Sequence, residues 1–136
     1  MPPNDPQQIF RRYVDEVLNK GNMTVFDELV DQNYVGHEPQ LPGGRGTRDH
    51  AKQGIQEVRA GAPDVHYTID NIQDQGNGQL SVRWTARGTH RGHLMGKAGT
   101  GKPVTLSGTA TVRIQNGKIV EGSSQYDQQE LTRQLS

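Results

Sequence analysis

Leu80-Ser81-Val82-Arg83-Trp84-Thr85-Ala86-Arg87 and, further on, Val104-Thr105-Leu106-Ser107-Gly108-Thr109-Ala110-Thr111-Val112-Arg113-Ile114 alternate between apolar or small residues and polar ones. A period of two is the mark of a strand with one face buried and one in water. Leu80, Val82, Trp84, Ala86, Val104, Leu106, Ala110, Val112 and Ile114 form the inner set. Arg83, Thr85, Arg87, Thr105, Ser107, Thr109, Thr111 and Arg113 form the outer set. Gly76-Asn77-Gly78 before the first run and Asn116-Gly117 after the second are hairpin turns, because both supply residues that tolerate positive φ. Val65, Tyr67 and Ile69 alternate in the same way ahead of the first turn, and Lys118 to Tyr126 follows the second. The pattern predicts four antiparallel strands in a meander.

Upstream of residue 65 the period is helical. Asp5 can cap a helix whose first turn holds Pro6, and Ile9, Phe10, Tyr13, Val14, Val17 and Leu18 then make one apolar stripe that closes at Gly21. A short helix from Thr24 buries Phe26, Leu29 and Val30. A third, from Thr47 to Ala60, buries Ala51, Ile55 and Val58. Between them, Tyr34 to Gly46 reads as an irregular loop, rich in glycine and broken by Pro39 and Pro42. Asp127 can cap a final helical turn running to Leu135. Three helices ahead of an antiparallel sheet predict an α+β fold, with the helices packed on one face of a four-stranded or larger sheet. No linker divides the chain, so residues 1–136 read as one domain.

The 136 residues carry 15 basic and 15 acidic side chains, for a formal net charge of zero, which points to neither a nucleic-acid nor a membrane-surface partner. Cysteine is absent, which excludes disulfides, zinc–thiolate sites and thiol nucleophiles. No stretch approaches the ~20 apolar residues that span a bilayer, and the first residues lack a secretory signal, so a cytoplasmic location is expected. Only 30% of residues are hydrophobic. A core this thin, beside an outer row of Thr105, Ser107, Thr109 and Thr111 short enough for close approach, predicts a homodimer through the outer sheet face.

Four segments in order and spacing carry a resemblance. They are Arg12-Tyr13-Val14-Asp15-Glu16-Val17-Leu18-Asn19-Lys20-Gly21-Asn22, Tyr34-Val35-Gly36-His37, Arg83 through Gly92, and Gly117-Lys118-Ile119-Val120-Glu121 followed by Tyr126-Asp127. In these the chain resembles the SnoaL-like polyketide cyclases, within the nuclear-transport-factor-2-like superfold. The resemblance implies a cone-shaped α+β barrel, with a strongly curved sheet wrapped around a long helix and a pocket open at one end. It implies a cofactor-free enzyme that closes a ring by acid–base (aldol) chemistry on a carbonyl-bearing polyketide, with isomerase or lyase variants, and it places the catalytic aspartate at Asp127. The chain departs from the family at Ser123, where many relatives carry Trp, and in Thr105 to Arg113, where the cyclases carry a histidine. These departures favour the alternative of a non-catalytic protein binding a small molecule in the same cavity. Epoxide hydrolysis would need a second carboxylate beside Arg83 or Arg113, and none is evident.

Read from the residues, Asp127 is open to two roles, general base in an apolar pocket or helix cap. His37, beside Tyr34, and His90, in the Gly-rich connection from Gly88 to Gly101, are the candidate partners that would steady an enolate oxygen. Tyr34, Trp84, Leu106, Ser123 and Gln125 are the candidate substrate contacts for an apolar, carbonyl-bearing ligand. No metal site is expected. Glu38, His90 and His93 do not share a helix or strand that would aim them together, and Arg91 opposes a cation. The Gly99-Thr100-Gly101-Lys102 run lacks the spacing and setting of a phosphate loop.

Overall fold

The computed structural model describes residues 5–37, 45–93 and 97–134. The segment through Gly44, including Glu38, and Gly96 in the later connection lie outside the described residues. The chain opens with helix α1 (Pro6–Arg12), which runs directly into a π-helical segment (Tyr13–Leu18). Asp5 caps it by accepting from the Gln7 N–H at 3.0 Å, with Pro6 in the first turn. The apolar stripe is continuous across both parts, with Ile9, Phe10, Val14 and Val17 buried. Helix α2 (Met23–Leu29) follows, one residue ahead of the expected start at Thr24, and is capped by Asn22, whose side chain accepts from Val25 N–H.

Strand β1 (Val30–His37) then pairs with the short β2 (Arg45–Gly46), and helix α3 (Arg48–Gly61) is capped by Thr47. Four long strands complete the sheet: β3 (His66–Gly76), β4 (Gln79–Thr89), β5 (Pro103–Gln115) and β6 (Lys118–Tyr126). Helix α4 (Gln128–Gln134) ends the described chain. The sheet has six strands in the order β2-β1-β6-β5-β4-β3, antiparallel except where β1 runs parallel to β6. It is curved but not closed, because β2 and β3 are free edges and do not pair with each other.

The loop expected from Tyr34 onward is therefore a strand as far as His37. Its pairing partner, β6, lies more than eighty residues away, and a local window holds no trace of it. Strands β4 and β5 follow the alternation. Leu80, Val82, Ala110, Val112 and Ile114 are buried against Ile9, Phe10, Val14, Val17 and Phe26. Thr105, Ser107, Thr109 and Thr111 are exposed on the outer face.

Two side-chain amides stand in for missing strand neighbours. On the free edge of β3, Asn19 accepts from Tyr67 N–H at 2.6 Å and donates to Tyr67 C=O at 3.1 Å. β6 ends opposite Gly108, leaving the start of β5 without that neighbour. There Gln134 of α4 accepts from Thr105 N–H at 2.8 Å and donates to Thr105 C=O at 2.9 Å. Each satisfies backbone groups that an open sheet edge would leave to water.

The turns behave as their residues demand. Asn77 and Gly78 adopt φ of 57° and 77°, and Asn116 and Gly117 adopt 53° and 78°. At Gly78 a Cβ would also strike the Ile114 carbonyl, whereas at Gly76 (φ 88°) nothing lies within 4 Å. Gly76→Ala should thus cost about 1 kcal/mol of backbone strain alone. Gly78→Ala should lose roughly 1–3 kcal/mol more, from the added clash. Urea unfolding of the two variants side by side measures the difference, and equal losses would refute the clash.

Candidate functional site

The concave face of the sheet carries an aromatic floor, built by the four neighbouring strands β3 to β6. Trp84 of β4 is the cross-strand partner of Gly108 of β5, and its indole lies over that glycine: a Cβ there would come within 2.5 Å of Trp84 Cζ2. Tyr67 of β3 packs on one side of the indole, with ring centroids 5.8 Å apart. Tyr126 of β6, also opposite Gly108, packs edge-on at the other, 6.4 Å away. A second glycine repeats the arrangement. The phenol of Tyr34 on β1 reaches across Gly36 and Gly122, where a Cβ at Gly122 would lie 2.7 Å from the hydroxyl. Tyr13, from the π-helical segment, closes the set from above, its ring packed between Phe10 and Phe26.

All four tyrosines and the sole tryptophan of the chain thus belong to one region. Its rings are not sealed. Tyr13, Tyr34, Tyr67 and Trp84 are half-buried, and Tyr126 is 37% exposed. The phenols also sense one another. Burial pushes Tyr13 far above the ordinary phenol range, and Tyr34 and Tyr67 add to the effect. Burial raises Tyr67 too, helped by Tyr126, and the Arg59 guanidinium partly offsets this. At neutral pH the buried phenols are protonated, so they are hydrogen-bond donors facing aromatic surface. That is a suitable lining for a flat molecule with carbonyl oxygens.

Of the residues singled out from sequence, Tyr34 and Trp84 are in this floor. Leu106, half-buried and in register with Ala86, shares its face. The others are elsewhere. Ser123 and Gln125 pair with Thr111 and Thr109, so they belong to the outer face, and it is Gly122, Ser124 and Tyr126 that alternate inward. The face expected to bear the pocket is the opposite one, because a bulge between Arg113 and Ile114 resets the parity of β6.

Asp127 is exposed, and its Oδ1 accepts from Glu130 N–H at 3.0 Å as the cap of α4. His37 is 51% exposed on its side chain and lies 3.2 Å from Glu121, which also pairs with Arg113 at 3.7 Å. Together with Thr111 and Ser123 they line a recess of about 70 Å3, away from the floor.

His90 is fully buried, at 0% exposure, but both ring nitrogens are occupied within its own connection. Nε2 meets the Lys97 carbonyl and Nδ1 the Thr100 hydroxyl, each at 3.2 Å. This histidine is a staple for the β4–β5 connection, not an enolate partner, since no ring nitrogen is left to offer. The three expected catalytic side chains are not brought together. Among the described residues no group of three or more His, Cys, Asp or Glu could hold a metal. Nor is any described helix long and apolar enough to cross a membrane.

Sequence reading missed Tyr13, Tyr67 and Tyr126 as site residues. The available signal was parity: Tyr67 sits in the inward set of its strand, and Tyr13 on the apolar stripe of its helix.

The family model for SnoaL-like polyketide cyclases matches residues 8–135. Wild-type IdmH from Streptomyces antibioticus, named a candidate polyketide cyclase, is 28% identical, covering 96% of this chain and 98% of its own, with a TM-score of 0.84. AclR from Streptomyces galilaeus, named a candidate hydroxylase, is 18% identical, over 96% of this chain and 94% of its own, with a TM-score of 0.84. A candidate SnoaL-like polyketide cyclase from Jannaschia sp. CCS1 is 16% identical, over 96% and 91%, with a TM-score of 0.85. At the last two identities the likeness is one of fold alone. No curated protein sequence matches the chain.

The buried phenols set an alkaline limit. A phenol whose folded pKa is raised favours the folded state only while protonated, so stability is kept below the free phenol's value of about 10 and falls as pH rises past it. Tyr13→Phe removes one such group. The variant should therefore lose less stability than the parent between neutral pH and pH 11, as read by urea midpoints at each pH. A parallel decline in both proteins would contradict the enclosure of the Tyr13 hydroxyl.

Proposed function

Because this chain belongs to the SnoaL-like polyketide cyclase family, we propose that it takes a carbonyl-bearing, polyketide-like molecule onto the aromatic floor and promotes ring closure there. The observation that carries this reading is the floor itself: Trp84 laid on Gly108 between Tyr67 and Tyr126, with protonated phenols around it. Flat rings orient a flexible chain for intramolecular attack, which supplies much of the advantage of a cyclase. A phenol donor stabilises the enolate oxygen as charge develops.

The base in this proposal is Asp127. Its Oδ1 is committed to Glu130 N–H, while Oδ2 has no hydrogen bond to a described residue. It directly follows Tyr126, at the open end of the floor. In the proposed step Asp127 takes the proton from the carbon between two carbonyls. The resulting enolate carbon attacks a distant carbonyl carbon, and the alkoxide formed is reprotonated from Asp127. One carbon–carbon bond forms, and the base is regenerated.

The second reading, a non-catalytic carrier of the same molecule, is favoured by one specific observation: His37, His90 and Oδ1 of Asp127 all have other partners. Trp84 separates the two, since it is the single tryptophan. Planar polyketide-like aromatics should quench its emission in either case. Under the cyclase reading Asp127→Asn leaves that quenching intact and lowers turnover of a linear poly-β-ketone by about 10²-fold. Quenching with no turnover by the parent protein supports the carrier, and absence of quenching by any such compound would sink both.

The same proposal includes a homodimer through the outer face, on which Thr105, Ser107, Thr109 and Thr111 present only short side chains. Light scattering at micromolar concentration should give twice the 15.0 kDa chain mass, and Thr109→Arg should return it to one chain by placing like charges across the two-fold axis. A parent protein at the single-chain mass refutes the dimer.

A further inference from the structure

The floor is held in place from outside, by Asn19 and Arg59. Asn19 stands just beyond the π-helical segment. Its amide accepts from Tyr67 N–H at 2.6 Å and donates to Tyr67 C=O at 3.1 Å, gripping both backbone groups of one residue on the free edge of β3. Asn19 is itself held. Arg59 of α3 donates through Nη1 to the Leu18 and Asn19 carbonyls, both at 2.9 Å. Its guanidinium lies against Gly21, where φ is 72° and a Cβ would fall 2.6 Å from Nε. Arg59 thereby satisfies carbonyls left over at a helix end, where a cation is also favoured by the dipole.

The chain of contacts runs α3, helix end, β3 edge, floor. Tyr67 is the residue at the end of it, and its ring packs on Trp84. The free edge of a sheet is where a strand frays most easily, yet β3 must present Tyr67 at a fixed height for the indole to be clasped from both sides. Tyr67 is in register with Ala86 of β4, and its own N–H and C=O face the free edge, where Asn19 takes both.

We infer that Asn19, locked by Arg59, is a positioning residue for the ligand site: it sets the depth at which Tyr67 and Trp84 meet a flat ligand, and so its affinity. This rests on the proposed binding of planar carbonyl compounds to the floor. The guanidinium has a second effect on the same phenol, since it draws the Tyr67 pKa back from the height that burial alone would give, which makes the hydroxyl a stronger donor.

The test compares the parent protein with Asn19→Ala and Asn19→Asp. Asp keeps the acceptor for Tyr67 N–H and loses the donor to its carbonyl, which makes it the milder change if the Ala variant fails to fold. Three readouts are taken well below the melting transition: Trp84 emission, Tm, and quenching of that emission by a planar anthraquinone probe. The expected result is an altered Trp84 emission maximum in the unliganded variants and probe binding weakened by about tenfold or more, the size of one lost preorganising contact. Asn19→Asp should fall between Ala and parent.

A lowered Tm with unchanged emission and unchanged probe affinity would overturn the inference, and leave Asn19 as a fold anchor only. If the parent itself does not bind the probe, the ligand reading of the floor has failed. Trp84 emission of the unliganded variants then still decides whether Asn19 positions the floor.

Discussion

Everything on the concave face depends on the absence of a side chain at Gly108. A tryptophan in a strand normally stands up from the sheet and fills the space above its cross-strand neighbour. Here the neighbour has no Cβ, and the indole of Trp84 occupies that room instead. In that place the indole packs against both Tyr67 and Tyr126. Gly122 leaves the same room for Tyr34. Two glycines in strands, a choice that costs conformational entropy and side-chain packing, make room for these large rings on one face of the sheet.

The polar chemistry divides along the same surface. On the inside are the hydroxyls of Tyr13 and Tyr67, whose burial keeps them protonated, so they donate and do not carry charge. On the outside are the ionic groups, among them Glu121 between His37 and Arg113. Charges in the concavity would need partners there or would be driven neutral, whereas phenols give direction to a carbonyl at much lower desolvation cost. Asp127 stands at the boundary, exposed and adjoining the last ring.

The helices give the curved sheet its rigidity. The π-helical segment places Tyr13 over the floor and ends at Asn19, and α4 ends at Gln134; these two amides grip β3 and β5 at places where strand pairing stops. His90 staples the β4–β5 connection back on itself, and Arg91 and Gly92 donate to the Gly61 carbonyl at the end of α3. The ends of the concavity are thus tied by side chains with two polar atoms each, which is an economical way to finish a sheet that does not close.

The sequence by itself determined the α+β class, the three leading helices and the first one's cap at Asp5, the meander, both hairpin turns, and which residues of β4 and β5 face inward. These rest on interactions within a few residues or on a period that survives along a strand. It also led, through four motifs, to the family. What it did not determine was β1, whose parallel partner is remote, and the parity of β6. One bulged residue beside Ile114 is enough to turn Ser123 and Gln125 outward and Ser124 and Tyr126 inward, because side chains alternate at every step. For the same reason the site proved to be a group of phenols drawn from a helix and three strands, with Asn19 and Arg59 behind it. Each of those residues is ordinary in its own segment, and only the folding of distant segments onto one face makes them neighbours.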